Sequence, residues 1–331
     1  MSNQEVYEEI TERMVRALEA GTVPWEKPWS AAAGGRPRSI STGQPYHGIN
    51  PLLLGMEALD KGYVSPYWGT YNAIAERSGM ERRMTNRGMR WVSPDGTPRG
   101  VRQGEKGTRI VLWKEATVKD TDPDTGERVD RPVLLARMYY VFNADQAEQL
   151  PDSYYPARTG EPVDQIREPQ EVLDTYLANS GPTLRHVEGD RAYYQAGPDQ
   201  ITMPERSQFK SAEAYYGAAF HEAGHSTGHP SRLNREGIAE FDHFGSDQYG
   251  REELVAQMTS AMLQAETGIE TEAEFERSAA YLQNWLTAVK GDVSLVPQAA
   301  AQAQRAVDRI REPQRQAERG GKAPEADREA A

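Results

Sequence analysis

Cysteine is absent from this sequence of 331 residues, and so are long hydrophobic runs. Without cysteine the chain forms no disulfide and no thiolate metal site, so any metal must be held by His, Asp or Glu side chains. No segment approaches eighteen consecutive apolar residues, and we therefore expect no transmembrane helix and no membrane partner. The first 21 residues are charged and lack the apolar centre of a signal peptide. These absences predict a cytoplasmic protein.

Acidic side chains are common in this chain but scarce in one stretch of its N-terminal half. The chain has a net charge of −12, but residues 1–150 carry 20 Lys and Arg against 20 Asp and Glu. All of the excess acid therefore lies in residues 151–331, which hold 18 basic and 30 acidic side chains. Residues 77–114 hold ten basic residues against three acidic ones. Because phosphate binding needs only a local basic patch, the overall acidity does not exclude a nucleic-acid partner.

Periodicity along the chain predicts an α+β fold. Apolar residues recur at helical spacing over 4–20, which favours an amphipathic helix. The stretch TRIVLWKEATV, the turn signal DTDPDTGE and the stretch RPVLLARMYYVFN predict a β-hairpin. Short strands are predicted near 183–187, 192–195 and QITMP, with helices on both sides.

Composition divides the chain into four segments. Residues 151–170 hold four prolines without periodicity and are typical of a linker, and the residues after about 312 have almost no apolar content. We predict an N-terminal α+β domain with a β-hairpin or small sheet over 1–150, a linker over 151–167, a second domain over 168–311 and a disordered tail over 312–331.

The stretch AAFHEAGHSTGH holds three of the six histidines. His221, Glu222 and His225 form the pattern H-E-x-x-H, which on a helix places both imidazoles on one face. Zinc lowers the pKa of a bound water to about 7, and a neighbouring carboxylate such as Glu222 can then take its proton. The pattern also arises by chance in unrelated helices. Against chance, the histidines are clustered, and a glutamate-rich helix follows.

A catalytic zinc site needs a third protein ligand and an open fourth position. The stretch YGREELVAQM is predicted to begin a helix, and either Glu252 or Glu253 in it can supply a carboxylate. The residues alone leave both open. The predicted cofactor is Zn²⁺.

Single-stranded DNA binding needs cations for phosphates and flat side chains for bases, and the N-terminal half offers both. The alternative for each tryptophan is a place in the core, and for each cation a solvated surface position. The candidates for binding are Trp25, Trp29, Arg102, Lys106, Arg109 and Lys114, with Tyr46, Trp68, Trp91 and Trp113 as further stacking platforms.

The segment FHEAGHSTGHPSRLNR resembles the ArdC antirestriction family, whose C-terminal domain is a zincin-like metallopeptidase. The stretches GTVPWEKPW, YHGINPLLL, VRQGEKGTRIVLWK and YYVFNADQAEQL resemble the single-stranded-DNA-binding domain of that family. The resemblance implies a protein of plasmids or mobile elements that shields incoming DNA from restriction. It also implies His221 and His225 as zinc ligands, Glu222 as catalytic base, and Glu253, which precedes LVA, as third ligand.

One position departs from the family. The family usually has Glu four residues after the third ligand, where this chain has Gln257, an amide without charge. Two hypotheses follow. In the first, the protein binds single-stranded DNA and its zinc domain cleaves a protein or peptide near that DNA. In the second, the protein only coats single-stranded DNA, and its zinc domain is structural or inactive.

Overall fold

The computed structural model describes residues 3–21, 23–24, 36–86, 88–121, 128–155, 169–179, 181–235, 238, 247–269 and 279–321. Contacts divide the chain into two compact units, the first of residues 1–24, 31–163 and 277–297, the second of 25–30, 164–276 and 298–331. Both units mix helices with strands, which confirms the α+β class. In the described ranges no helix combines the length and apolarity that crossing a membrane requires.

The first unit is built around a four-stranded sheet. Its strand order is β1–β2–β7–β6, with β1 parallel to β2 and the other neighbours antiparallel. The long β6–β7 hairpin confirms the hairpin predicted from the β-branched stretches. The strands of this unit are Arg38–Ser39 (β1), Tyr67–Gly69 (β2), Glu81–Thr85 (β3), Gly88–Val92 (β4), Gly100–Val101 (β5), Thr108–Thr121 (β6), Arg128–Asn143 (β7) and Ala147–Glu148 (β8).

Helices cover the first unit's sheet. Leu54 and Ala58 pack with Ile110 and Val141 around Trp68, whose side chain is fully buried. The predicted N-terminal helix is confirmed, and its apolar positions are buried. The helices are Asn3–Glu19 (α1), Asn50–Lys61 (α2), Tyr71–Arg77 (α3) and, from the C-terminal half of the chain, Ala279–Gly291 (α7).

The second unit contains the predicted short strands and the helix of the H-E-x-x-H motif. Its three-stranded sheet has the order β10–β11–β9, with β11 parallel to β9 and antiparallel to β10. The elements are Pro169–Asn179 (α4), Thr183–Val187 (β9), Tyr193–Gln195 (β10), Gln200–Pro204 (β11), Ala212–Ser226 (α5), Asp247–Thr267 (α6) and Leu295–Gly321 (α8).

Two features differ from the divisions drawn on the sequence. Residues 277–297 group with the first unit, although they follow the motif helix in the chain. Helix α8 continues to Gly321, past the predicted start of the tail at 312, and residues 322–331 lie outside the described part. Most of the predicted linker, residues 156–167, lies outside it as well. The predicted domain boundaries themselves stay predictions.

Candidate metal centre

Helix α5 carries the motif and begins at a side-chain cap. The Ser211 hydroxyl accepts a hydrogen bond from the backbone N–H of Ala214 at 3.2 Å, which satisfies one of the free amides of the first turn. Ala219, Phe220 and Ala223 are buried along the helix. The helix is therefore fixed at its start and along its apolar side, which holds the motif histidines in place.

A glycine inside the motif lets the next helix approach. A Cβ atom on Gly224 would lie 3.2 Å from Cα of Ala256 and 3.2 Å from Cβ of Thr259, both on α6. Such a separation is tighter than ordinary side-chain packing, so the missing side chain permits the observed distance between α5 and α6. This close approach brings Glu253 of α6 to the motif histidines.

Three side chains converge between these two helices. The Nε2 atoms of His221 and His225 lie 3.1 Å apart. One carboxylate oxygen of Glu253 lies 3.3 Å from His221 Nε2, and the other lies 3.5 Å from His225 Nε2. One candidate ligand atom from each residue falls within 4.8 Å of the other two. Within the described residues, this is the group of three whose geometry suits a metal ion.

The electrostatics of the cluster are those of a cation site. Burial by itself lowers the pKa of His225, but hydrogen bonds with Glu252 and Glu253 outweigh it and raise the pKa to about 10. The pKa of His221 is lowered, chiefly by burial. Burial tends to raise the pKa of Glu253, but the two histidines hold it below its usual range. The carboxylates thus favour a positive charge between the imidazoles, either a proton or a metal ion.

The second imidazole nitrogen of His225 has its own partner. His225 Nδ1 lies 3.3 Å from Glu252 Oε1, so Nε2 is the nitrogen that faces the cluster. Glu252 is held in turn by Arg235, whose Nε donates to Glu252 Oε2 at 2.8 Å and whose Nη2 donates to Oε1. Both side chains are buried. A carboxylate on the far nitrogen orients a ligand histidine and raises its basicity.

Arg235 also ties this network to the end of the motif helix. Its Nη1 donates to Thr227 Oγ1 at 2.6 Å and its Nη2 to the Gly224 carbonyl at 2.8 Å. A Cβ on Gly228 would lie 3.1 Å from the guanidinium carbon, so that glycine leaves room for Arg235. The arginine therefore bonds to both helices that carry the candidate ligands.

Glu222 is a buried carboxylate beside the candidate ligands. Its side chain makes no hydrogen bond to another group in the described part of the chain. Gln257 Nε2 donates to Glu253 Oε1 at 3.3 Å. Gln257 therefore holds the third candidate ligand in position. The carboxylate at the far nitrogen of His225, Nδ1, comes from Glu252.

The donor set fits a divalent metal ion. Two imidazole nitrogens and one carboxylate are ligands that zinc and manganese accept, and they leave further coordination positions open. Without a cation, two nitrogen lone pairs and a carboxylate would repel one another at these distances. The residues therefore suit an ion held by His221, His225 and Glu253.

The sequence pattern did not reveal the role of Arg235. It lies 17 residues from Glu252 along the chain, outside any periodic pattern, so no local signal pairs the two. In the sequence, Glu252 is recognisable only as an alternative ligand to Glu253. Consecutive residues on a helix differ by about 100° in direction, so Glu252 and Glu253 contact opposite nitrogens of His225.

The structure describes some of the candidate DNA-binding residues, namely Arg102, Lys106 and Arg109. Arg102 forms an ion pair with Glu105 at 2.7 Å, and Arg109 pairs with Glu9. Both cations are thus partly neutralised within the protein. Lys106 is exposed. Trp25, Trp29 and the side chains of Lys114 and Trp113 lie outside the described residues.

The further stacking candidates include one correction. The prediction that Trp68 stacks on bases is wrong, because its side chain is wholly buried in the core. Trp91 is partly exposed. In addition, Tyr139 and Tyr140 on β7 are 39% and 52% exposed, although no sequence motif distinguishes them. The DNA-binding roles stay predictions.

Comparison with known proteins defines the class of each part of the chain. Residues 171–302, which contain the three candidate metal ligands, match the zincin-like metallopeptidase family. The part of the second unit that carries the motif thus belongs to a zincin-like domain. Residues 4–142 match the N-terminal domain of anti-restriction factor ArdC.

Solved structures identify the family. The metal-free crystal structure of the antirestriction ArdC protein from R388 plasmid is 37% identical, with a TM-score of 0.68 over 94% of this chain and 98% of that one. Its Mn(II)-bound structure is 36% identical, with a TM-score of 0.67 over 93% and 97%. The chain belongs to the ArdC antirestriction family.

Curated relatives with similar sequences include one protein of about the same length and two much longer ones. The uncharacterized protein y4eC of Sinorhizobium fredii (strain NBRC 101917 / NGR234) is 32% identical over 95% of this chain and 94% of its own length. A DNA primase TraC of Escherichia coli is 35% identical over 91% of this chain, and a second TraC is 33% identical over 92%. The chain spans only 26% and 20% of the length of these two primases.

Proposed function

We propose that this protein binds single-stranded DNA through its N-terminal domain and carries a zinc-dependent peptidase in its zincin-like domain. Its role is to protect incoming mobile-element DNA from restriction in the cytoplasm. The observation that carries the proposal is the convergence of His221, His225 and Glu253 beside the buried carboxylate of Glu222. A protein or peptide near the DNA is the proposed substrate.

The chain's own residues supply most of the proposed chemistry. His221, His225 and Glu253 hold the ion, and zinc is favoured because two imidazoles and a carboxylate form a known catalytic zinc set. When bound, zinc polarises a peptide carbonyl and lowers the pKa of water. Glu222 takes the proton released as water attacks and passes it to the departing amine. Glu252 and Gln257 keep a ligand each in position.

Metal content tests the centre directly. We expect about one metal ion per wild-type chain, since the three candidate ligand atoms lie within 4.8 Å of one another and can bind the same ion. In His225→Ala the metal is lost, because one of three protein ligands is removed. Elemental analysis of both proteins after incubation with zinc measures this. His186→Ala is the matched control, because His186 bonds to Tyr215 at 2.9 Å and not to the cluster. Equal metal in wild type and His225→Ala would reject the site.

Single-stranded DNA binding is supported by the ArdC-type N-terminal domain and by ten basic residues within 77–114. We expect Lys106→Ala to weaken binding and to reduce the slope of log K against log salt by about 0.7, the value for one phosphate contact on a single strand. Fluorescence anisotropy over a salt series measures the slope. The control is Lys61→Ala, because Lys61 is also exposed but forms an ion pair with Asp60 at 2.7 Å. A slope unchanged in Lys106→Ala would remove this residue from the interface.

The alternative function is a module that only coats single-stranded DNA and carries a structural or inactive zinc domain. The observation that favours it is the amide at Gln257, where the family usually has a carboxylate. The position of Glu252 argues for the peptidase. Although residue 257 is an amide, Glu252 on the same helix places a carboxylate at His225. Loss of Glu222 separates the two functions, since only the peptidase requires that residue.

A further inference from the structure

The β3–β4 hairpin stands apart from the sheets of the first unit. Glu81–Thr85 and Gly88–Val92 pair with each other and with no other described strand. Nearly every side chain on β3, and the first three residues of β4, are exposed. A two-stranded ribbon of this kind buries little apolar surface, so stability alone does not explain it.

Two methionines lie opposite each other near the turn of this hairpin. Met84 and Met89 are partners in the register, and they are 75% and 52% exposed. Methionine side chains are flexible and polarisable, and they adapt to the shape of a partner. Two exposed apolar side chains at opposite positions of the ribbon offer a small apolar surface to a partner.

The hairpin is also basic. Arg83 and Arg90 are direct partners across the two strands, an arrangement that is unfavourable for like charges. Arg83 is paired with Glu81 at 2.6 Å, whereas the Arg90 side chain has no ion-pair or hydrogen-bond partner in the described ranges. An external anion beside Arg90 would relieve this repulsion, so the charges point to an anionic partner.

The base of the hairpin is fixed to the domain. Trp91 Nε1 donates to Asn72 Oδ1 of α3 at 2.9 Å, and Arg82 lies over the Trp91 ring at 5.9 Å. After the hairpin, Arg99 donates to the Ser78 carbonyl at 3.0 Å. These contacts hold one end of the ribbon while the methionine end stays exposed.

We propose that this hairpin binds DNA at the junction where a duplex opens into a single strand. The methionine pair packs on the flat face of the terminal base pair, and Arg90 contacts a phosphate of the flanking strand. Methionine is among the apolar side chains that proteins place against base steps, whereas single-stranded bases are usually held by aromatic rings. A duplex end offers both an apolar face and phosphates, which matches the composition of the hairpin. The inference rests on the proposed single-stranded-DNA binding and adds the form of DNA that is recognised.

The test compares two DNA probes that share one single-stranded arm. One probe is the single strand alone, and the other is a fork in which the arm leaves a duplex. We expect the protein to bind the fork about tenfold more tightly, as one additional contact on a base face would give. In Met84→Ser/Met89→Ser this preference falls to less than about twofold, while affinity for the single strand stays unchanged. Both side chains are exposed, so the change removes no core contact.

Two controls match the apolar and the charged part of the hairpin. Leu59→Ser removes another exposed apolar side chain, 46% exposed, from α2 and should keep the fork preference. Arg90→Ala should lower the salt slope on the fork by about one, since one phosphate contact is lost. Arg16→Ala, an exposed arginine on α1, should not.

Several results would overturn the inference. Equal binding of fork and single strand by the wild type would reject the junction while leaving the proposed single-strand binding intact. No binding to either probe would reject both proposals together. A fork preference that survives in Met84→Ser/Met89→Ser would reject the methionine contact. Cosedimentation with anionic lipid vesicles that this double variant abolishes, without any fork preference, would assign the hairpin to a membrane surface instead.

Discussion

Glu222→Gln is expected to retain its metal and to lose peptide hydrolysis by a factor of about 10²–10⁴, the usual contribution of a general base. The amide has nearly the same shape as the carboxylate, so the packing of the buried side chain is kept. It cannot accept the proton that attacking water must release. Glu222 belongs to no ligand group, and its loss should therefore leave the ion with His221, His225 and Glu253.

The measurement uses a fluorogenic peptide library as substrate, with metal content determined on the same samples. Glu213→Gln is the matched control, because Glu213 lies on the same helix but is exposed. It should hydrolyse peptides like the wild type. Equal hydrolysis by wild type and Glu222→Gln would show that this carboxylate is not the base.

A second readout of the same variant separates the two candidate functions. If a peptidase protects incoming DNA, Glu222→Gln should fail to protect a transferred plasmid from a restriction enzyme in the recipient. If protection comes from coating single strands, the variant should protect as well as the wild type. Under the coating hypothesis, Lys106→Ala should reduce protection, whereas Glu222→Gln should not. The metal content of Lys106→Ala should equal that of the wild type.

The sequence was sufficient for the parts of the fold whose signals are local. Helix α1 follows from apolar residues at helical spacing, and the β6–β7 hairpin follows from two β-branched stretches around a turn. The motif helix begins directly after Ser211, whose side chain caps the first turn, and this too is a local signal. By contrast, β3 and β4 are rich in arginine, which has no preference for strands, and the hairpin was missed.

The candidate site was predictable to the extent that it lies on one helix. H-E-x-x-H is a local pattern, so His221, Glu222 and His225 follow from the sequence. The choice between Glu252 and Glu253 depends on how α6 rotates against α5, and that rotation is set by packing at Gly224. Arg235 reaches Glu252 from a loop, and such a contact leaves no periodic trace.

The buried pair Arg235–Glu252 leads to the second large effect. Arg235→Ala leaves the Glu252 carboxylate buried without its cation, which typically destabilises a protein by about 3–5 kcal/mol. Thermal unfolding should show a lower Tm for this variant.

Glu252→Gln keeps the side-chain volume but removes the charge beside His225, and we expect metal affinity to fall by about 10–100-fold. Competition with a chromogenic chelator measures that affinity.

A double variant separates stability from metal binding. Replacing a whole buried ion pair by apolar residues of similar size is often neutral for stability, so Arg235→Met/Glu252→Met should recover most of the Tm lost in Arg235→Ala. Its metal affinity should nevertheless stay low, because His225 Nδ1 has lost its carboxylate partner. Recovery of both properties would mean that Glu252 serves only the fold.

The protein offers a matched control for this argument in a second buried pair. Arg311 Nη1 lies 2.6 Å from Glu266, and these side chains are 9% and 3% exposed. Arg311→Ala should therefore lower the Tm by an amount similar to Arg235→Ala. Within the described contacts, Arg311 bonds to Glu266 and belongs to no group of candidate ligands, so metal affinity should be unchanged at a temperature where the variant is folded. A loss of affinity in Arg311→Ala as well would show that any destabilisation of the domain weakens the metal centre. It would thereby remove the evidence for a specific role of Glu252.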